Sequence, residues 1–139
     1  MQLDSSTPFG ARVMRRLQEE QVVWLTTIGQ DGTPQPNPVW FLWEAEAFWI
    51  YTEPGSYKVR NLRRNPRVSL HFDAGEGGED VVVFTGTAVL DENPPLVHHD
   101  PAYLEKYRQG IADIGDTPEG MGEQYCLLIQ IKPEKLRGF

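Results

Sequence analysis

Pro38-Val39-Trp40-Phe41-Leu42-Trp43-Glu44, followed closely by Phe48-Trp49-Ile50-Tyr51-Thr52, is the stretch whose reading decides the fold. From Val39 to Trp43 both alternating faces are apolar. A sheet with one face in water alternates apolar with polar residues instead. This strand is therefore expected to be covered twice. A barrel interior would lie on one side, and a helix, a ligand or another subunit on the other. The gap Glu44-Ala45-Glu46-Ala47 is short enough for a hairpin.

Working outward, Val22–Ile28 reads as a strand rich in β-branched and aromatic residues, and Gly29-Gln30-Asp31-Gly32 as a hairpin-grade turn. Pro34, Pro36 and Pro38 stiffen the entry to the aromatic strand, and proline is at home at strand starts and edges. Ser56–Asn65 reads as a helix with Ser56 as N-cap, stopped by Pro66. Arg67–Asp73 is a strand, 74–79 an acidic loop, and Asp80–Asp91 a long strand with Gly86 as a candidate bulge. A helix is expected within Pro94–Gly110, burying Tyr103, Leu104 and Tyr107. Ile111–Gly122 reads as a loop, Gln124–Ile131 as the last strand, and the remainder as a Pro-led tail. At the front, Pro8–Glu20 is an amphipathic helix capped by Thr7-Pro8. Six strands joined mostly by hairpins, with three short helices, favour a mainly β, six-stranded antiparallel barrel with peripheral helices over a doubly wound parallel sheet.

The chain has 139 residues, the size of a single domain spanning 1–139. With 40% hydrophobic and 24% charged residues it has a globular composition. A net charge of −7 argues against a nucleic-acid groove or an anionic membrane surface as partner. Cys126 is the one cysteine, so no intrachain disulfide can form. No apolar run approaches the roughly 18 residues of a membrane span, and no secretory h-region opens the chain. The expected setting is reduced and cytoplasmic.

Several chemistries lack their signatures. There is no GxxxxGK[ST] loop, and the glycines of 75–78 lie between two strands rather than opening a helix. His98 and His99 are adjacent on an expected helix and would point about 100° apart, a poor arrangement for one metal. His71 reads as a hydrogen-bonded barrel residue and Cys126 as a small hydrophobe within a strand.

The positive signal is electrostatic. Lys58, Arg60, Arg63, Arg64 and Arg67 are five of the thirteen basic residues, and no acid stands between Ser56 and Arg67. Ser56, Tyr57 and Lys58 occupy the helix N-terminus, where unpaired N–H groups and the helix dipole favour phosphate. A phosphate-bearing small molecule fits this pattern, as does a solvated basic helix. Beside it, the strand bearing Trp40, Phe41 and Trp43 could take a planar heteroaromatic ring.

Together, TTIGQDGTPQPNPVWF (residues 26–41) and KVRNLRRNPRVSL (residues 58–70) resemble the pyridoxamine 5′-phosphate oxidase-like split β-barrel family. Within that family the chain is similar to the small coenzyme F420-dependent and FMN-binding oxidoreductases. The resemblance runs from about Pro8 to Phe139. It implies an FMN-binding split barrel that is homodimeric, with cofactor sites at the interface. It assigns the cofactor phosphate to Ser56, Tyr57, Lys58, Arg60 and Asn61. The ring would lie near Asn37, Pro38, Val39 and Trp40, and Arg137 and Phe139 of a second copy would close the pocket. The cofactor implied is coenzyme F420, with FMN as alternative. The acidic tail of F420 would find open basic surface at Arg63, Arg64, Arg12, Arg15 and Arg16. No catalytic residue is implied, Tyr57 being one candidate proton donor. A non-catalytic flavin- or haem-type binding module is the alternative from another class. The end of the chain, EKLRGF, departs from the tryptophan-, arginine- and histidine-bearing motif of the vitamin B6 oxidases.

Overall fold

Thr7 Oγ1 accepts from Gly10 N–H at 3.0 Å, and Pro8 takes the first helical position, where no N–H is needed. The computed structural model describes residue 1 and residues 3–139. Helix α1 (Pro8–Glu19) buries Val13 and Leu17. Seven strands follow in one sheet: β1 (Val22–Ile28), β2 (Pro34–Trp40), β3 (Leu42–Glu44), β4 (Ala47–Thr52), β5 (Arg67–His71), β6 (Val82–Asp91) and β7 (Leu127–Gly138). The order across the sheet is β2-β1-β5-β6-β7-β4-β3, with every pair antiparallel. Helix α2 (Tyr57–Arg64) joins β4 to β5, while α3 (Pro101–Asp113) and α4 (Pro118–Gln124) lie between β6 and β7.

The end strands β2 and β3 are neighbours in the chain, with Phe41 alone between them. The sheet curls until its two edges meet at that residue. The covalent chain, rather than a ladder between β2 and β3, completes the turn of the barrel. This corrects the expected strand count from six to seven, because Pro38–Glu44 is broken at Phe41. The cause lies in α3. The Phe41 N–H donates to the Tyr107 hydroxyl at 2.9 Å. Its carbonyl accepts from Lys106 Nζ at 2.9 Å and lies 2.7 Å from the Tyr107 hydroxyl. Side chains satisfy here what a ladder would otherwise satisfy.

Both faces of the aromatic stretch are covered, and helices supply the outer cover. Phe41 sits inside the barrel against Phe48 and Phe72, at 5.5 and 5.8 Å between ring centroids. Leu42 joins a second cluster outside it, under Tyr103, Tyr107, Ile111 and Met121. Trp40 stacks on Tyr107 at 4.7 Å.

Other expectations shift by local chemistry. The Pro94–Gly110 helix divides into a 3-10 turn (Val97–His99) and α3, because Asp100 caps α3 through Tyr103 N–H. The expected loop Ile111–Gly122 contains the start of α4, which Thr117 caps ahead of Pro118. The last strand starts at Leu127, so Cys126 precedes it, and continues to Gly138 through the expected tail. The Gly86 bulge is present: Thr85 opposes Lys135 and Gly86 opposes Pro133, leaving Glu134 over. Ala45 and Glu46 form the β3–β4 turn, both at positive φ.

Strand β2 pairs with β1 throughout 34–40. Prolines at 34, 36 and 38 cannot donate, so Gln35, Asn37 and Val39 must be the residues bonded to β1. The prolines then face the open edge, which offers carbonyls but no N–H at those three positions.

Candidate ligand pocket

Ser56 ends the loop after β4. Its hydroxyl accepts from Val59 N–H at 3.4 Å and lies 3.3 Å from Thr52 Oγ1, fixing the start of α2 against the end of β4. From the first turn of α2, Lys58 reaches into a pocket of about 210 Å³. Pro38, Val39 and Trp40 of β2 form one wall, and Tyr51 and Thr52 of β4 the base. Tyr103 of α3, Ile114, Met121 of α4 and Tyr125 form the opposite wall.

Lys58 is the pocket's one cation among the described residues. Burial lowers its pKa, and the nearby Glu53 carboxylate partly restores it. No described carboxylate comes within ion-pair distance of its ammonium; the ion pairs of the chain belong to Arg12, Arg16 and Arg63. A half-buried ammonium with no directly paired carboxylate among the described residues, beside aromatic side chains, is suited to an anion.

The other four cations of the basic run disperse around α2 and onto β5. Arg60 is exposed, bonds the Gly55 carbonyl at 3.2 Å and lies over the Tyr57 ring at 5.0 Å. Arg63 pairs with Glu92 at 2.7 Å, Arg64 bonds Asn61 Oδ1 at 2.7 Å, and Arg67 is exposed on β5. In α1, Arg12 and Arg16 both pair with Asp80, tying the acidic loop to the helix, while Arg15 is exposed.

The sequence-assigned residues separate into groups. Pro38, Val39, Trp40 and Lys58 share the pocket; Ser56, the cap of α2, is outside the lining and lies 3.3 Å from Thr52, which is part of it. Tyr57 is 76% exposed, and Asn37 is exposed on β2. Asn61 is buried, its amide donating to Thr27 Oγ1 at 2.9 Å and Gln35 Oε1 at 2.8 Å, so it ties α2 to β1 and β2. Arg137 lines a different groove with Phe9 and Val83, and Phe139 is exposed. Sequence reasoning missed Tyr51, Thr52, Tyr103, Ile114, Met121 and Tyr125 as pocket residues. One signal was available: Thr117-Pro118 repeats the Thr7-Pro8 start pattern and marks α4, hence Met121, as structured.

The histidines lie elsewhere. His71 stacks with Trp24 at 6.2 Å, and the His98 and His99 rings lie 4.1 Å apart, tilted by 50°. His98 Nδ1 is buried without a partner. Among the described residues no three His, Cys, Asp or Glu side chains gather as a metal site, and no helix is long and apolar enough to cross a membrane.

A family model described as pyridoxamine 5′-phosphate oxidase matches residues 9–139. Among solved structures, a conserved hypothetical protein of Mycobacterium tuberculosis (Rv2991) is 25% identical with a TM-score of 0.73, covering 91% of this chain and 81% of its own. An F420 reductase is 20% identical with a TM-score of 0.66, covering 88% and 94%. The haem storage protein HutZ from Vibrio cholerae is 19% identical with a TM-score of 0.63, covering 99% and 94%.

Proposed function

We infer the function from membership, since the chain belongs to the pyridoxamine 5′-phosphate oxidase family, and propose a cytoplasmic oxidoreductase that uses coenzyme F420, or alternatively FMN, on a small conjugated substrate. The observation that carries this proposal is Lys58, a half-buried ammonium with no described carboxylate within ion-pair distance, in a pocket lined mainly by aromatic and apolar side chains. The fold likeness to an F420 reductase supports the choice of cofactor.

The residues present fit such a group. Lys58 would hold its phosphate, and the α2 N–H groups beside the Ser56 cap would face the same anion. Val39 and Trp40 would flank the ring, Trp40 held flat by its stack on Tyr107. The bound cofactor supplies the hydride chemistry; binding, orientation and exclusion of water fall to the chain. Ile114 and Met121 contribute apolar surface to the lining. We further propose that two copies assemble with this pocket at their interface, Arg137 and Phe139 coming from the second copy.

A haem-binding module is the second reading, favoured by the fold likeness to HutZ. The pocket lining holds no histidine or cysteine, so an axial ligand of either type would have to come from elsewhere.

Fluorescence titration of the ligand-free protein with F420 and FMN, and absorbance titration with haem, test the proposal. Saturable F420 or FMN binding is expected. Lys58→Ala should cost about 1.5–3 kcal/mol of affinity, roughly 10- to 150-fold. Arg67→Ala, exposed on β5 and outside the pocket lining, should change affinity less than threefold, or ~0.5 kcal/mol. Equal losses in both variants would overturn the assignment of Lys58.

A further inference from the structure

We propose that the Tyr103 hydroxyl is a recognition group, donating a hydrogen bond to the oxygen of a flat, carbonyl-bearing aromatic molecule held in the pocket. The ring of Tyr103 is fixed. It is 1% exposed, meets Tyr51 edge-on at 5.0 Å and lies 4.7 Å from Tyr107.

Its neighbours' hydroxyls are committed. Tyr51 lies 2.8 Å from the Pro95 carbonyl and 3.0 Å from Asp100 Oδ2. Tyr107 has the carbonyls of Gln21 at 2.6 Å and Phe41 at 2.7 Å, and accepts from Phe41 N–H. The Tyr103 hydroxyl bonds to no described residue, although a buried tyrosine hydroxyl ordinarily finds a partner. It is not among the fully sealed orphan atoms, which are Arg12 Nη2 and His98 Nδ1. Tyr103 lines the pocket, so the proposal sets its unbonded oxygen toward that space.

The chemistry of the partner follows. Burial raises the phenol pKa, so the group is a protonated donor at neutral pH and calls for an acceptor. Val39, Trp40 and Met121 present flat and apolar surface, which calls for a planar body. A volume of about 210 Å³ suits a ring system of modest size. Two sources share this chemistry, the carbonyl-bearing ring of a flavin-like cofactor and a carbonyl-bearing substrate.

The proposal uses the pocket named above but does not need its cofactor. The test is a probe pair differing in one oxygen, 1-indanone and indane, titrated into the ligand-free protein and followed by tryptophan indole NMR shifts. The wild type should favour 1-indanone by roughly tenfold. Tyr103→Phe keeps the ring and should bring the two probes within about twofold, with indane binding unchanged. Unchanged thermal unfolding of Tyr103→Phe controls for general damage. A wild type that does not distinguish the probes, or a Tyr103→Phe protein that still does, overturns the proposal. Repeating the 1-indanone titration with saturating FMN or F420 separates the sources. Competition assigns the hydroxyl to the cofactor ring, and retained binding assigns it to the substrate. Failure of both cofactors to bind would remove the functional proposal and leave the probe-pair result standing.

Discussion

Phe41 has a polar environment unlike that of its strand neighbours. Its N–H and carbonyl are served by two consecutive side chains of α3, Lys106 and Tyr107, and Lys106 Nζ also lies 3.8 Å from its ring centroid. Tyr107→Phe keeps the stack on Trp40 but leaves a buried N–H without an acceptor, at an expected cost of about 1–3 kcal/mol. Chemical denaturation measures it, and a neutral outcome would show that the hydroxyl is not what breaks the strand. Lys106 makes a pH-dependent contribution. Burial lowers its pKa from 10.5 to about 8, with Glu20 opposing the shift. Between those values the unfolded chain binds more protons than the folded one, so this group makes the fold more stable as pH rises from about 8 to 10.5. Wild-type stability should therefore gain on Lys106→Met across that window, and a flat difference would contradict it. None of this was legible locally, since Phe41 and Tyr107 are 66 residues apart. Two-sided burial of the strand was legible, because each of its side chains states its own hydropathy.

Elements that begin with a cap and a proline were the easiest to place. Thr7-Pro8 and Ser56 set α1 and α2 where the sequence put them. The same rule at Thr117-Pro118 was masked by the glycines and acids of 113–122, which read as loop on composition. Helix α4 is short and stands by docking. Gly122 is buried against His98, and a Cβ there would run into His98 Nδ1. Gly122→Ala should push α4 away from the 3-10 turn and destabilise by about 1–3 kcal/mol. Hydrogen exchange should rise in α4 and not in β1 or β5; uniform loss would show that α4 is not an independent unit. The pocket was half legible for a related reason. Its β2 and α2 walls are adjacent to sequence signals, whereas Tyr103, Ile114 and Met121 arrive through the packing of α3 and α4 on the outer face.

At the scale of the whole molecule, one sheet separates two apolar clusters, the barrel interior and the helix-covered outer face. The exposed apolar residues Val22, Val89 and Phe139 lie outside both. If two copies pair as proposed, sedimentation should give twice the chain mass at micromolar concentration, and a single-chain mass would refute the pairing. Fold class was readable because strands joined by hairpins leave few topologies. Assembly was not, since the residues that would meet a second copy look like any surface.

The three prolines of β2 restrict how copies of this barrel can meet. At Pro34, Pro36 and Pro38 the border offers only acceptors and cannot zip to an identical border, because carbonyl would face carbonyl with no proton between. A continuous sheet running from the β2 edge of one copy to that of another is barred at Pro34, Pro36 and Pro38. Whatever joins two copies along this strand must do so through side chains, as one face laid upon another.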